Sequence, residues 1–190
     1  MKTTGKIIVI SSASGGGKTS VVKQVLKDFP EIVFSISVTT RPKRKYEVDG
    51  VDYFFVDDKE FERRIKNNEF IEWERFYDYY YGTLKSFIDD NIASGKSVLF
   101  EVDVKGALAL KRLYPDNSYL IYIDPPSFEE LVKRLKNRKT ESEEDLQKRI
   151  DRAKRELSYK AQFDYIFVND DLNKVCNKVE SLIKEILNKE

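Results

Sequence analysis

Ile7-Ile8-Val9-Ile10 is an unbroken apolar run that gives way at once to a Ser/Gly-rich stretch from Ser11 to Gly17. A short run with no polar alternation is what a strand covered on both faces requires. Val21, Val22, Val25, Leu26 and Phe29 then recur at helical spacing until Pro30 imposes a stop. The opening therefore reads strand, glycine loop, helix. The alternation returns with Val98-Leu99-Phe100 and Val102 as a strand, Ala107 to Leu113 as a helix, and Tyr119 to Ile123 as another strand. Tyr165 to Val168 reads as a last core strand, and Val175, Val179, Leu182, Ile183, Ile186 and Leu187 mark a closing helix. Strands alternating with helices predict an α/β fold, with a mostly parallel sheet and helices on both faces.

Two segments break that rhythm. Phe34, Ile36 and Val38 alternate with Ser and Thr, Val51 to Val56 and Phe70 to Phe76 look extended, and a short helix lies around Phe61 and Ile65. This predicts a small mixed or antiparallel insertion. Further on, Ser127-x-x-Glu130 has the spacing of a capping box ahead of Phe128, Leu131, Val132 and Leu135, and a second charged helix runs from about Ser142 to Tyr159. The expected division is core 1–33, insertion 34–87, core 88–126, a helical lid 127–157 and core 158–190.

Composition narrows the chemistry. With no His, a Ser-His-Asp triad, an H-E-x-x-H zinc site and a His general base are all excluded. The single thiol, Cys176, closes no intrachain disulfide and builds no cysteine zinc cluster. The apolar runs fall far short of the ~20 residues of a membrane span, and the four apolar residues after Lys6 are too few for a secretory leader of about 7–15, so a cytoplasmic protein is expected. A net charge of +1 offers no bulk attraction to nucleic acid or to an acidic membrane. Anion binding must be local.

Ser14-Gly15-Gly16-Gly17-Lys18-Thr19 is where it concentrates. Successive glycines let backbone amides turn toward phosphate oxygens, the following helix offers its positive end, Lys18 neutralises charge on the transferred group, and Thr19 offers a hydroxyl to Mg²⁺. The strict pattern G-x-x-x-x-G-K-[ST] has its first glycine where this chain has Ser12, so the turn leaving the strand is made by a residue with a side chain. In the insertion, Arg41-Pro42-Lys43-Arg44-Lys45 packs four cations into five residues, and Tyr53, Tyr79, Tyr80 and Tyr81 add phenol hydroxyls. Guanidinium forks and phenols together suit a phosphate dianion.

Taken in order, Ser37-Val38-Thr39-Thr40-Arg41-x-x-Arg44, Gly50-Val51-Asp52-Tyr53-x-Phe55, Asn67 to Trp73, Tyr80-Tyr81-Gly82-Thr83, Pro125-Pro126-Ser127 and Val168-Asn169-Asp170-Asp171-Leu172 resemble the guanylate kinases. The resemblance runs from about Lys6 to Leu187. It implies a P-loop kinase fold that transfers the γ-phosphoryl group of ATP to GMP or dGMP, with Mg²⁺ as cofactor, ATP and GMP as partners, and a monomer or weak homo-oligomer.

The resemblance also implies roles. Ser12, Ala13, Ser14, Gly15, Gly16, Gly17, Lys18 and Thr19 meet ATP, joined by Arg134, Arg138 and Asn169. Glu72 faces the imino and amino protons of guanine, which adenine does not offer as a pair; Ser37 and Thr83 supply hydroxyls to the base. Arg41, Arg44, Tyr53 and Tyr81 cradle the acceptor phosphate, with Arg149 also on the GMP side. Lys18, Arg41, Arg134, Arg138 and Arg149 supply the charge for catalysis. Glu101 and Asp103, two apart on an expected strand and so on one face, meet Mg²⁺ or the acceptor nucleoside, with Thr19 and Asp103 favoured for the metal. Lys133, Lys136, Lys148 and Arg152 are expected to be solvated surface. Two rivals are a phosphopeptide-holding module of the same shape, which has no need of the phosphate loop, and a kinase for another mononucleotide, against which Glu72 and Thr83 argue.

Overall fold

The computed structural model describes residues 5–76, 78–137 and 143–189. A core sheet is built from β1 (Ile7–Ser11), β2 (Val33–Phe34), β7 (Val98–Glu101), β8 (Ser118–Asp124) and β9 (Tyr165–Val168), all parallel, in the order β2-β7-β1-β8-β9. The central position of β1 explains its sequence. Ile8 and Ile10 pack under α1 (Lys18–Asp28) and α7 (Leu172–Leu187), while Ile7 and Val9 pack under α3 (Lys85–Ala93) and α4 (Val104–Leu113). All four side chains are fully buried. At ~1.5–3 kcal/mol for each such side chain taken out of water, the strand has no position that tolerates polarity until Ser11.

The insertion forms a second sheet of four strands, β4 (Phe54–Phe55), β3 (Val38–Thr39), β6 (Tyr79–Leu84) and β5 (Phe70–Phe76) in that order. β3 pairs parallel with β4 and antiparallel with β6, and β5 pairs antiparallel with β6, so the sheet is mixed. Its back is closed by α2 (Asp58–Lys66), whose Phe61 stacks between Phe70 and Tyr80 with ring centroids 4.5 and 5.2 Å away. Phe34, expected to open the insertion, pairs instead with Leu99 of the core sheet. Of the stretch Val51 to Val56, only Phe54 and Phe55 are strand; Gly50, at φ 76°, turns the chain before them.

α5 (Phe128–Lys136) and α6 (Glu143–Leu157) pack through Leu131, Leu135, Leu146, Ile150 and Ala153, with Ala13 of the glycine loop in the same cluster. Ser127 caps α5 by accepting the Glu130 amide at 3.2 Å. The helical pair is therefore seated directly on the loop that follows β1. No helix of the described residues is long and apolar enough to cross a membrane.

Candidate active site

The loop from Ser12 to Gly17 leaves the C-terminal end of β1, where open parallel sheets bind ligands. Gly15 and Gly17 have φ of 89° and 98°, a region that side chains resist, and Gly17 is the residue from which α1 starts. Ser12 is not in that region; its hydroxyl donates to the Ala13 carbonyl at 2.9 Å. The missing first glycine is accommodated because the crowding falls on Gly16, where an added Cβ would lie 2.8 Å from Ser12 Cβ.

The loop is braced from outside. Ala13 donates its backbone amide to the Tyr122 hydroxyl at 3.1 Å, Ser14 donates its backbone amide to Glu156 Oε2 at 2.8 Å, and the Asn169 side-chain Nδ2 donates to the Gly16 carbonyl at 3.0 Å. Asn169, expected at the nucleotide, thus spends its side-chain amide nitrogen on the loop, and its backbone carbonyl accepts Arg134 Nη2 at 3.0 Å. Arg138 lies outside the described residues.

Across the cleft, strand alternation decides which tyrosines matter. Tyr80 turns back onto Phe61, Tyr79 lies at the exposed end of β6, and Tyr81 and Thr83 face forward. Tyr81 sits edge-on to Tyr53 with centroids 6.1 Å apart, and the Arg41 guanidinium lies 5.4 Å from the Tyr53 ring. Glu47, which the sequence pattern does not single out, is buried beneath this pair and joins Arg41 through both oxygens, at 2.7 and 3.0 Å. The guanidinium holds the Glu47 carboxyl below its ordinary range. Arg44 gives its backbone amide to Glu47 at 2.8 Å, while its exposed side chain reaches the Tyr46 hydroxyl at 3.1 Å.

Glu72 and Thr83 face each other on β5 and β6, the Thr83 hydroxyl donating to Glu72 Oε1 at 2.7 Å. Burial pushes the Glu72 carboxyl up to about 7; the Thr83 hydrogen bond opposes this, and the charges of Asp103 and Glu74 add to it.

The strand-face expectation for Glu101 and Asp103 needs correction. β7 ends at Glu101, and Asp103 is the N-cap of α4, its Oδ1 accepting the Gly106 amide at 2.8 Å. The two carboxylates are therefore not related by a strand's period. Glu101 accepts a hydrogen bond from the Thr19 hydroxyl. Asp103 Oδ2 is ion-paired with Arg152 at 2.9 Å.

Arg152 is the other correction. Its side chain is 28% exposed, and it meets Asp103, Glu74 at 3.2 Å and Glu156 at 2.8 Å. Its i+3 relation to Arg149 on α6 is the signal that could have found it. A cavity of about 360 Å³ is lined by Ser12, Ser14 and Lys18 on the loop side, Tyr81 and Glu74 on the insertion side, and Arg149, Arg152, Glu156 and Asp103. A neighbouring hollow of about 410 Å³ joins Lys18 and Thr19 to Ser37, Tyr53, Glu101 and Asp103.

Among the described residues no group of three or more carboxylate, thiol or imidazole side chains could hold a metal ion. The Thr19 hydroxyl beside the Glu101 carboxylate offers two hard oxygens at the loop. That fits a magnesium ion which takes most of its ligands from a triphosphate and water, and Asp103, with both oxygens engaged, fits it less well.

A glycine loop on a central parallel strand, faced across a cleft by a second cradle of arginine and tyrosines, defines an α/β P-loop kinase fold. The guanylate kinase family model matches residues 4–186. The guanylate kinase of Thermotoga maritima is 46% identical over 180 residues, spanning 95% of this chain and 86% of that protein. That of Chlorobaculum tepidum is 46% identical over 183 residues, spanning 96% and 94%. A crystal structure of guanylate kinase from Anaplasma phagocytophilum superposes with a TM-score of 0.77 at 32% identity, covering 100% of this chain and 89% of that one. The chain belongs to the guanylate kinase family, whose members are ATP:GMP phosphotransferases.

Proposed function

We propose that the cleft carries out in-line transfer of the γ-phosphoryl group of ATP to GMP or dGMP, giving ADP and GDP or dGDP. The observation that carries this reading is the 360 Å³ cavity, with Lys18 of the phosphate loop on one wall and Tyr81 of the second cradle on the other. The acceptor's phosphate oxygen is largely ionised at neutral pH, so no strong general base is needed and a His-free chain suffices. Arg41, Tyr53 and Tyr81 hold the acceptor phosphate, with Arg44 closing over it from the exposed side. Glu72, ionised, accepts the two adjacent N–H groups of guanine, and Thr83 and Ser37 bring hydroxyls to the base edge.

Ser14 to Thr19 receive the triphosphate through main-chain amides. Lys18 and Arg149 bring positive charge to the group in transit, and Arg134 braces the loop through Asn169. Thr19 and Glu101 would hold Mg²⁺, which when bound neutralises phosphate charge. The test is ADP release with ATP and Mg²⁺ against GMP, dGMP, AMP, UMP and CMP. GMP and dGMP are expected to be the active acceptors; faster turnover with AMP than with GMP would overturn the assignment.

A further inference from the structure

Arg152 gathers three carboxylates from three parts of the chain. Its Nη2 donates to Asp103 Oδ2 at 2.9 Å and to Glu74 Oε2 at 3.2 Å, and its Nε donates to Glu156 Oε1 at 2.8 Å. Glu156 turns its other oxygen to the Ser14 amide of the phosphate loop. One guanidinium thereby joins the strand that carries Glu72, the start of α4 and the phosphate loop.

Two of those carboxylates, Asp103 and Glu74, are the ones whose charge bears on Glu72. The groups around Glu72 are Glu74 on its own strand, Thr83 on β6, Asp103 ahead of α4 with Lys105 and Arg112 further along the same groove, and Arg152 on α6 behind Asp103 and Glu74. Among the described residues, Glu72's side-chain hydrogen bond is from the neutral Thr83 hydroxyl, and no ion pair to a cation reaches it. A buried carboxylate in the company of two others tends to take up a proton, and a protonated carboxyl no longer offers two acceptors to the paired N–H groups of guanine.

We propose that Arg152 is a positioning residue for guanine recognition: by holding Asp103 and Glu74 in ion pairs it offsets their charge at Glu72, so that Glu72 meets the base with both oxygens as acceptors. This rests on the reading of the cleft as a GMP site. In this role Arg152, which also lines the cavity with Lys18 and Arg149, acts on the base through the carboxylates it holds.

The test is the pH profile of kcat/KM for GMP at saturating ATP, from pH 5.5 to 9, for the full chain and for Arg152→Gln, Arg152→Lys and Glu74→Gln. The acceptor's own phosphate titrates in this range, identically for every variant, so differences between variants report the protein. Arg152→Gln is expected to move the acidic limb upward by roughly half to one pH unit, the size of one unit charge removed at a partly solvated site. Arg152→Lys should return it toward the wild-type position. Glu74→Gln, which removes a negative charge from an exposed position, should move it downward. Opposite signs cannot arise from damage to folding, and Glu74→Gln carries the test should Arg152→Gln fold poorly. An Arg152→Gln limb coincident with wild type, or a Glu74→Gln shift that is upward or absent, overturns the inference alone. A wild-type chain that phosphorylates no GMP at any pH overturns the reading of the cleft and the inference with it.

Discussion

Glu47 grips Arg41 end-on, accepting Nη2 on one oxygen at 2.7 Å and Nη1 on the other at 3.0 Å. The second Nη1 proton goes to the Pro42 carbonyl at 2.9 Å. A guanidinium has five donors, so these contacts leave Nε–H and one Nη2–H, side by side on the edge of the fork nearest the chain, and the Tyr81 side chain is a further hydrogen-bond partner of this guanidinium. The rings of Tyr53 and Phe55, 5.4 and 5.7 Å from the guanidinium carbon, fix its plane. On the proposed reading of the cleft, Arg41 and Tyr81 are held together to present this edge to the acceptor phosphate.

Glu47→Gln should therefore weaken GMP binding by about tenfold or more while leaving guanosine, which lacks the phosphate, bound as before, since one hydrogen-bonded prong of the grip becomes a donor facing a donor. Calorimetry with the two ligands separates the effects. Equal losses for both would mean that Glu47 supports the insertion generally and does not set Arg41.

Glu72 makes the chain's stability depend on pH in the direction opposite to most carboxylates. Its folded value of about 7 lies above the ordinary 4.5, so the native state holds a proton that the unfolded chain has released. The contribution is fully present below pH 4.5 and is lost as pH rises through 7. Glu72→Gln should be more stable than wild type at pH 8 by about 1–2 kcal/mol, with the gap closing toward pH 5. GMP phosphorylation should fall by about 100-fold or more, because the amide presents a donor to a donor. A melting-temperature difference that does not change with pH would refute the ionisation argument.

Residues whose role follows from position along one element were legible before the fold was known. The buried strand Ile7–Ile10 announces itself because it is covered on both faces, and Tyr81 and Thr83 share a face because strands alternate. Asp103 misleads because a strand's period is carried two residues past its end, although an Asp directly before an apolar helical run is an N-cap signal. Glu47, Glu156 and Arg152 were hidden for a different reason. Arg152 lies on a helix crowded with lysines and arginines, and its place beside Arg149 does not reveal that its partners include carboxylates 49 and 78 positions away. Glu47 follows a run of cations, and its sequence does not say that Arg41, six residues back, is the one it grips; the distant partners of Arg152 and Glu156 are chosen by the closing of the chain on itself.

Gly17→Ala should damage the ATP side selectively. Its φ of 98° disfavours any side chain, and the new Cβ would lie 2.4 Å from Asn169 Nδ2, the group that braces Gly16. A cost of about 1–3 kcal/mol in stability and a rise of about tenfold or more in KM for ATP are expected, with GMP affinity in the absence of ATP unchanged. Asn169→Ala in the Gly17→Ala background removes the clash, and partial recovery of KM would identify the contact as the cause. No recovery would leave the backbone strain as the whole effect.

Lys18 and Arg149 line the same cavity, and on the proposed reading both serve the group in transit and neither holds guanine. Their charges count most when the phosphoryl group has left one oxygen and not yet reached the next, so their loss should appear in kcat and leave KM for GMP within about threefold. Lys18→Ala and Arg149→Ala are each expected to lower kcat by at least ~100-fold. Because both act on the same group in transit, the double variant should lose less than the product of the single losses. Steady-state kinetics on the three variants, with GMP varied at saturating ATP, decides the matter. Near-normal kcat in either single variant removes that residue from the transferring group, and fully multiplicative losses would mean the two charges act at separate steps.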